Sequence, residues 1–136
     1  MTVKFNIVER GNPSNRAAPK KFYPSLKSTG RVNQRKLVET AARETALSTG
    51  DMMNALETIL KIIPRELAEG NIVELGDFGS FWLRLETEGA DTADQVTPSS
   101  VTGELARFTP GKLFKQTLEV IQFSKIEGSE PESEPT

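Results

Sequence analysis

Two short runs constrain this chain more than anything else in it: Leu75-Gly76-Asp77-Phe78-Gly79-Ser80-Phe81 and Arg107-Phe108-Thr109-Pro110-Gly111-Lys112. The first reads as a strand leaving a tight glycine turn, with Phe78 and Phe81 placed to wedge a sheet onto helices. The second reads as a returning strand that gives way to a new helix at Pro110-Gly111, with Lys112 in its first turn. A helix start lined with free N–H groups and lysines is a place to hold a phosphate.

The flanking segments supply the remaining elements. Val3, Phe5 and Ile7 alternate with Lys4 and Asn6, which predicts a half-buried strand. Gly11 to Asn15 reads as a loop, and Lys20 to Leu26 as a basic extended stretch that Pro24 confines to a sheet edge. Asn33 caps a predicted helix running to about Leu47, with Leu37, Val38, Ala41, Ala42 and Thr45 on its apolar face. Ser48 to Asp51 resembles a capping box and opens a second helix carrying Met52, Leu56, Ile59, Leu60, Ile63 and Leu67. Pro64 inside it predicts a kink or break, and Gly70 closes it.

Strand material lies on both sides of the glycine turn: Ile72, Val73 and Leu75 before it, then Phe81, Trp82, Leu83 and Leu85. Glu88 to Gly103 is polar and reads as a loop or weakly structured arm, after which Leu105 to Phe108 returns as a strand. Gly111 to about Val120 is predicted to be a third helix that buries Leu113, Phe114, Thr117, Leu118 and Ile121, with a closing strand at Phe123 to Ile126. The last ten residues are too polar to order. The expected organisation is an N-terminal extension over 1–32, a domain over 33–126 and an acidic tail over 127–136. That length suits one domain plus tails.

Composition removes several function classes. The chain has no cysteine and no histidine, which excludes disulfides, thiolate metal sites and the commonest general base. The paired acids near Asp91 and Asp94 lack the ligand spacing of a calcium loop, so no metal, cofactor, catalytic residue or small-molecule substrate is expected. No apolar run approaches the ~20 residues of a membrane span, and no signal-peptide pattern opens the chain. A soluble, intracellular protein is the expectation.

The net charge of −2 conceals segregation. Residues 1–43 hold ten Lys and Arg against Glu9 and Glu39, whereas residues 44–106 hold three against twelve acids. Residues 107–126 are basic again, and the final ten carry four glutamates with no base. Such asymmetry bears on a polyanionic partner more than the total does. For any single charged side chain, plain solvation is the competing reading.

The order helix, helix, glycine-turn strand pair, arm and Pro-Gly-Lys helix resembles the HU/IHF family of bacterial DNA-bending proteins. The matching residues are Ser48, Gly70, Gly76-x-Phe78-Gly79-x-Phe81 and Phe108-x-Pro110-Gly111-Lys112-x-x-Lys115, within residues 33–121. The extension before them is similar to that of the HU-like variants of Bacteroidetes. The resemblance implies an α+β, IHF-like DNA-binding fold: a two-helix base, an antiparallel β-sheet with a short arm, and a C-terminal helix, in an intertwined homodimer. It implies double-stranded DNA as partner and a cytoplasmic, nucleoid location. Phe78, Phe81, Trp82 and Phe108 would then be core or dimer-interface residues.

The arm departs from the family pattern, in which arginines and lysines precede an Asn-Pro tip. From Glu86 to Gly103 there is no Lys or Arg, and Pro98 in Thr97-Pro98-Ser99 is the sole candidate wedge. An acidic arm is repelled by a phosphate-lined groove, which argues against bending by arm intercalation. The candidate DNA contacts are therefore Arg84 and Arg107 on the sheet, and Lys112 and Lys115 at the third helix start. Lys20, Lys21, Lys27, Arg31, Arg35 and Lys36 form a further basic stretch able to follow a backbone. All would be phosphate contacts, without sequence preference. The alternative is an HU-like protein-interaction or assembly module whose acidic arm docks a basic protein. The tail is either an inert solubilising end or a competitor of DNA for the basic segment.

Overall fold

In the computed structural model, which describes residues 1–128 and 132–133, the chain is α+β. The elements are strands Thr2–Arg10 (β1) and Lys21–Leu26 (β2), helices Gln34–Arg43 (α1) and Thr49–Ala68 (α2), and strands Val73–Glu74 (β3), Gly79–Thr87 (β4) and Val101–Pro110 (β5). Helix Lys112–Leu118 (α3) and strands Gln122–Lys125 (β6) and Glu132–Ser133 (β7) complete the described residues. They form two units, a first that joins 1–31 to the segment after 117 and a second over 32–117.

The first unit is a sheet ordered β2-β1-β6, with β7 also on β1. β1 and β2 are antiparallel, from Phe5 opposite Leu26 to Arg10 opposite Lys21, and β2 is the edge strand that Pro24 requires. β6 and β7 run parallel to β1, so this sheet is mixed. Met1 accepts from the Gln122 amide at 3.0 Å and Phe5 from the Ile126 amide at 3.1 Å, which pins the closing strand at both ends. The predicted disorder of 127–136 falls mostly outside the described residues. Glu132 and Ser133 do pair with Val8 and Glu9, since a backbone ladder needs no apolar side chain.

The second unit sets α1 and α2 beside the sheet β3-β4-β5. The Asn33 side chain accepts from the Lys36 amide at 2.9 Å, and Ser48 Oγ accepts from the Asp51 amide at 3.1 Å, so both helices start at their predicted caps. α1 stops at Arg43, four residues early. The Thr45 hydroxyl donates to the Ala42 carbonyl and accepts from the Leu47 amide, diverting the backbone. α2, by contrast, continues unbroken through Pro64. Leu60 and Pro64 are both exposed, so the carbonyl that loses its partner can turn to water. The end of α2 is a Schellman motif: the Gly70 amide donates to Leu67 and the Asn71 amide to Glu66.

Candidate nucleic-acid interface

The two diagnostic runs fold against each other. Gly76–Phe78 forms a single 3-10 turn, and β4 leaves it to pair with β5 along its whole length. The Gly111 amide donates to the Phe78 carbonyl at 2.9 Å, tying the start of α3 to that turn. A Cβ on Gly79 would fall within 3 Å of the Thr109 carbonyl and the Phe108 ring, and one on Gly111 would meet the Asp77 carbonyl. Only glycine lets the two backbones come this close.

Register divides the β4–β5 sheet into two faces. Phe81 lies opposite Phe108, and these rings meet Phe78 and Phe114 with centroids 4.7–5.4 Å apart. This aromatic cluster fastens the sheet to α3, within the range where ring pairs attract. Trp82 is on the other face, opposite Arg107, and its indole N–H donates to Thr109 Oγ1 at 2.8 Å. Trp82, expected with the phenylalanines as a core or dimer-interface residue, thus lies half-buried on the face opposite to theirs, because adjacent strand residues point to opposite sides.

Arg84 and Arg107 are brought together on the Trp82 face. Arg107 pairs with Trp82 and Arg84 with Leu105, which makes the two arginines diagonal neighbours, on the order of 7 Å apart at Cα. Both are exposed, as are Lys112 and Lys115, which lie one turn apart on α3. α3 has seven residues, ends before the predicted Val120, and has Gly111 N–H already engaged. Its end is therefore not an anion site in itself, and what remains there is two lysine side chains. Of its predicted buried side, Phe114 alone within the helix is half-buried, while Leu113, Thr117 and Leu118 are open.

The other predicted cations scatter. Arg35 and Lys36 sit on the first turn of α1, where Arg35 pairs with Glu39 at 3.3 Å. Lys20, Lys21, Lys27 and Arg31 belong to the first unit and are all exposed. Sequence reading missed Arg10, which faces Lys21 across the β1–β2 ladder with its guanidinium 5.7 Å from the Tyr23 ring centre. Together with Gly11, Asn12, Pro13, Ala18 and Pro19 they line one cleft. The usable signal was the basic residue closing the alternating run.

The arm is more ordered than a loop. β5 begins at Val101 rather than Leu105, with a register shift after Glu86, and the Glu88 amide donates to Ser100 at 2.8 Å. Ala93–Gln95 and Pro98–Ser100 are 3-10 turns, the second held by a capping box between Thr97 and Ser100. Pro98 thus opens a turn beside the strand ends, not at the tip, a position its fixed φ favours. Glu86, Glu88, Asp91 and Asp94 are exposed along the arm. Among the described residues no helix is long and apolar enough to cross a membrane, and no cluster of carboxylates could hold a metal ion.

Comparison with known proteins agrees with this geometry. The profile of HU-HIG, described as an HU domain fused to wHTH, Ig, or Glycine-rich motif, matches residues 1–125. The chain is similar to the DNA-binding protein HU of Thermotoga maritima, 26% identical over 87 residues, covering 62% of this chain and 97% of that one. In fold it is similar to a crystal structure from Bacteroides vulgatus, described as a candidate bacterial DNA-binding protein, with a TM-score of 0.63 at 13% identity. That match takes in 99% of this chain, which spans half the length of the Bacteroides protein. It is also similar to HU of Anabaena in a cocrystal with DNA, with a TM-score of 0.51 at 22% identity over 65% of this chain and 99% of that one. Strands β1, β2 and β6 of the N-terminal sheet and the β4–β5–α3 assembly fall within the matched profile, and the chain belongs to the HU-HIG family.

Proposed function

We propose that this chain binds duplex DNA without sequence preference, as an architectural, histone-like protein of the nucleoid. The observation that carries the reading is the placement of Arg84 and Arg107 on one open sheet face, backed by the phenylalanine cluster. Lys112 and Lys115, on the helix that packs against the phenylalanine face, and Lys20, Lys21, Lys27, Arg31 and Arg35 are secondary phosphate contacts in this reading. Phosphate contacts of this kind position a protein on DNA but read no base. The name of the Thermotoga relative and the DNA in the Anabaena cocrystal support the same partner. The reading needs no catalytic residue, cofactor or membrane.

The binding unit is an intertwined homodimer, with the HU-like domain over 33–126 preceded by the extension 1–32. Within residues 32–117 only Val38 and Leu67 are buried apolar residues, while Leu37, Ile59, Leu60 and Leu113 stand open. A core this sparse does not hold a domain of such size alone, and a second copy covers those side chains.

A duplex titration at about 50 mM and about 200 mM salt tests the function, with affinity falling steeply between them. Absence of binding at the lower salt overturns it. A second reading, an assembly module, is favoured by the exposed acids of the arm. It requires Glu86, Glu88, Asp91 and Asp94 to hold a basic protein, so their replacement by glutamine would abolish that complex and leave DNA binding intact.

A further inference from the structure

The sheet of the first unit also has two unlike faces. Val3, Phe5 and Ile7 share one face with Phe123, Leu26 and Pro24, their respective partners in the ladders. Phe22, opposite Glu9, extends it toward the hairpin. Lys4, Arg10 and Lys21 belong to the other face, and Lys27 joins them because its amide donates to the Lys4 carbonyl at 2.9 Å. Within the β1–β2 and β1–β6 ladders the apolar face holds two charged side chains, Glu9 and Lys125. Phe22, Leu26 and Phe123 are 58%, 70% and 68% exposed, and Phe5, Pro24, Leu26 and Phe123 line one apolar depression of about 430 Å³. A single exposed leucine needs no account, but a contiguous patch does.

Charge selects the occupant. With the cations on the far side, this face has no hold on a polyanion, and covering it desolvates one acid and one base. A surface with one of each can satisfy both against a copy of itself. Strands lie about 4.8 Å apart and rise about 3.4 Å per residue, which fixes where each side chain stands. Glu9 is four residues along β1 from Phe5, and Lys125 stands beside Phe5 on β6. Consider a two-fold axis lying between two such faces, crossing β1 near Ile7 and tilted about 20° from square to the strands. It lays β1 roughly antiparallel over its copy and sets Glu9 of each copy over Lys125 of the other. The same axis brings Phe5 over Phe22 and Leu26 over Pro24, each within about 4 Å in projection. The lysines and arginine of the other face stay in water, as polar residues do on the outside of a sheet sandwich.

Size sets the strength. The face measures roughly 20 Å by 15 Å, so two copies bury under about 1,000 Å², short of the ~1,200 Å² at which stable interfaces begin. The contact is therefore weak, and it adds to pairing through the helices without replacing it.

We propose that the apolar face of the β2-β1-β6 sheet docks on the same face of a second copy of this chain, with Phe5 against Phe22 and Glu9 against Lys125. The contact uses no residue of α1, α2 or the β4–β5 sheet, so it stands independently of duplex binding and of the helix-mediated pair.

The chain has no cysteine, so one introduced thiol reports on one position. The full chain carrying Ile7→Cys is treated at about 100 µM with a bismaleimide of about 10 Å span, the spacing of stacked sheets. Covalent dimer is expected, and Lys4→Cys, on the opposite face, should give about fivefold less or lower. Glu9→Lys places like charges together at both ends of the contact and should lower the Ile7→Cys yield about fivefold. Adding Lys125→Glu exchanges the two charges and should restore the yield, a recovery that a misfolded chain does not show. Phe22→Ser with Leu26→Ser, both open on the edge strand, should lower it about tenfold. No crosslinking by Ile7→Cys, an equal yield from Lys4→Cys, indifference to Glu9→Lys, or a loss that the exchange fails to restore overturns the proposal.

Discussion

Arg107 stands directly across the β4–β5 ladder from Trp82, whose indole N–H is held by Thr109 Oγ1 at 2.8 Å, two residues along the same face. The hydrogen bond restrains the indole on the face that Arg107 shares, and Trp82 is the chain's one tryptophan. A duplex bound on this face must therefore change tryptophan emission. Titration with duplex DNA is expected to shift or quench it saturably, and emission indifferent to saturating duplex would place the DNA elsewhere.

Replacing Arg84 and Arg107 by alanine should weaken duplex binding for every sequence alike, and so should replacing Lys112 and Lys115. Each cation that neutralises a phosphate adds roughly 0.9 to the slope of log affinity against log salt. In a dimer either pair of substitutions removes four cations and is thus expected to lower the slope by up to ~3.6 units. A parallel offset with the slope unchanged would mean these side chains act through structure and not through phosphate.

Gly79→Ala and Gly111→Ala should each destabilise the chain, because the added Cβ meets a carbonyl or a ring under 3 Å away. Forced packing of this sort costs about 1–3 kcal/mol, and the positive φ of 149° at Gly79 adds to it. Urea denaturation midpoints check the expectation. Ser48→Ala, which removes the cap of α2, should cost about 1 kcal/mol by the same measure.

Much of this was readable locally, and the failures have a common cause. Asn33, Ser48, Pro24 and Gly70 act through their own backbone neighbours, so their roles are written in a few adjacent letters. The end of α1 at Arg43 depends on which bonds the Thr45 hydroxyl selects, a competition that helical spacing does not record. β5 extends through Thr102 and Gly103, where no apolar alternation announces a strand, because the ladder to β4 is made by backbone. The pairing of Arg84 with Arg107 on one face follows only from register, which joins residues more than twenty apart.

Open apolar side chains on all three helices lead to a further expectation. Solution mass should be about twice 15.0 kDa, and the thermal midpoint should rise with protein concentration. Leu60→Asp, on the exposed part of α2, should abolish both the doubled mass and the concentration dependence. A monomeric mass at every concentration would remove the intertwined arrangement.

Because β6 is laid parallel against β1, the opening strand acquires its neighbour on that edge only after more than a hundred further residues have been made. Until then β1 and β2 are a lone hairpin, which is marginal in water. Residues 32–117 can thus assemble during synthesis while the amino-terminal sheet waits for β6 to emerge from the ribosome, and a chain cut short near residue 117 would have its first thirty residues exposed to proteases.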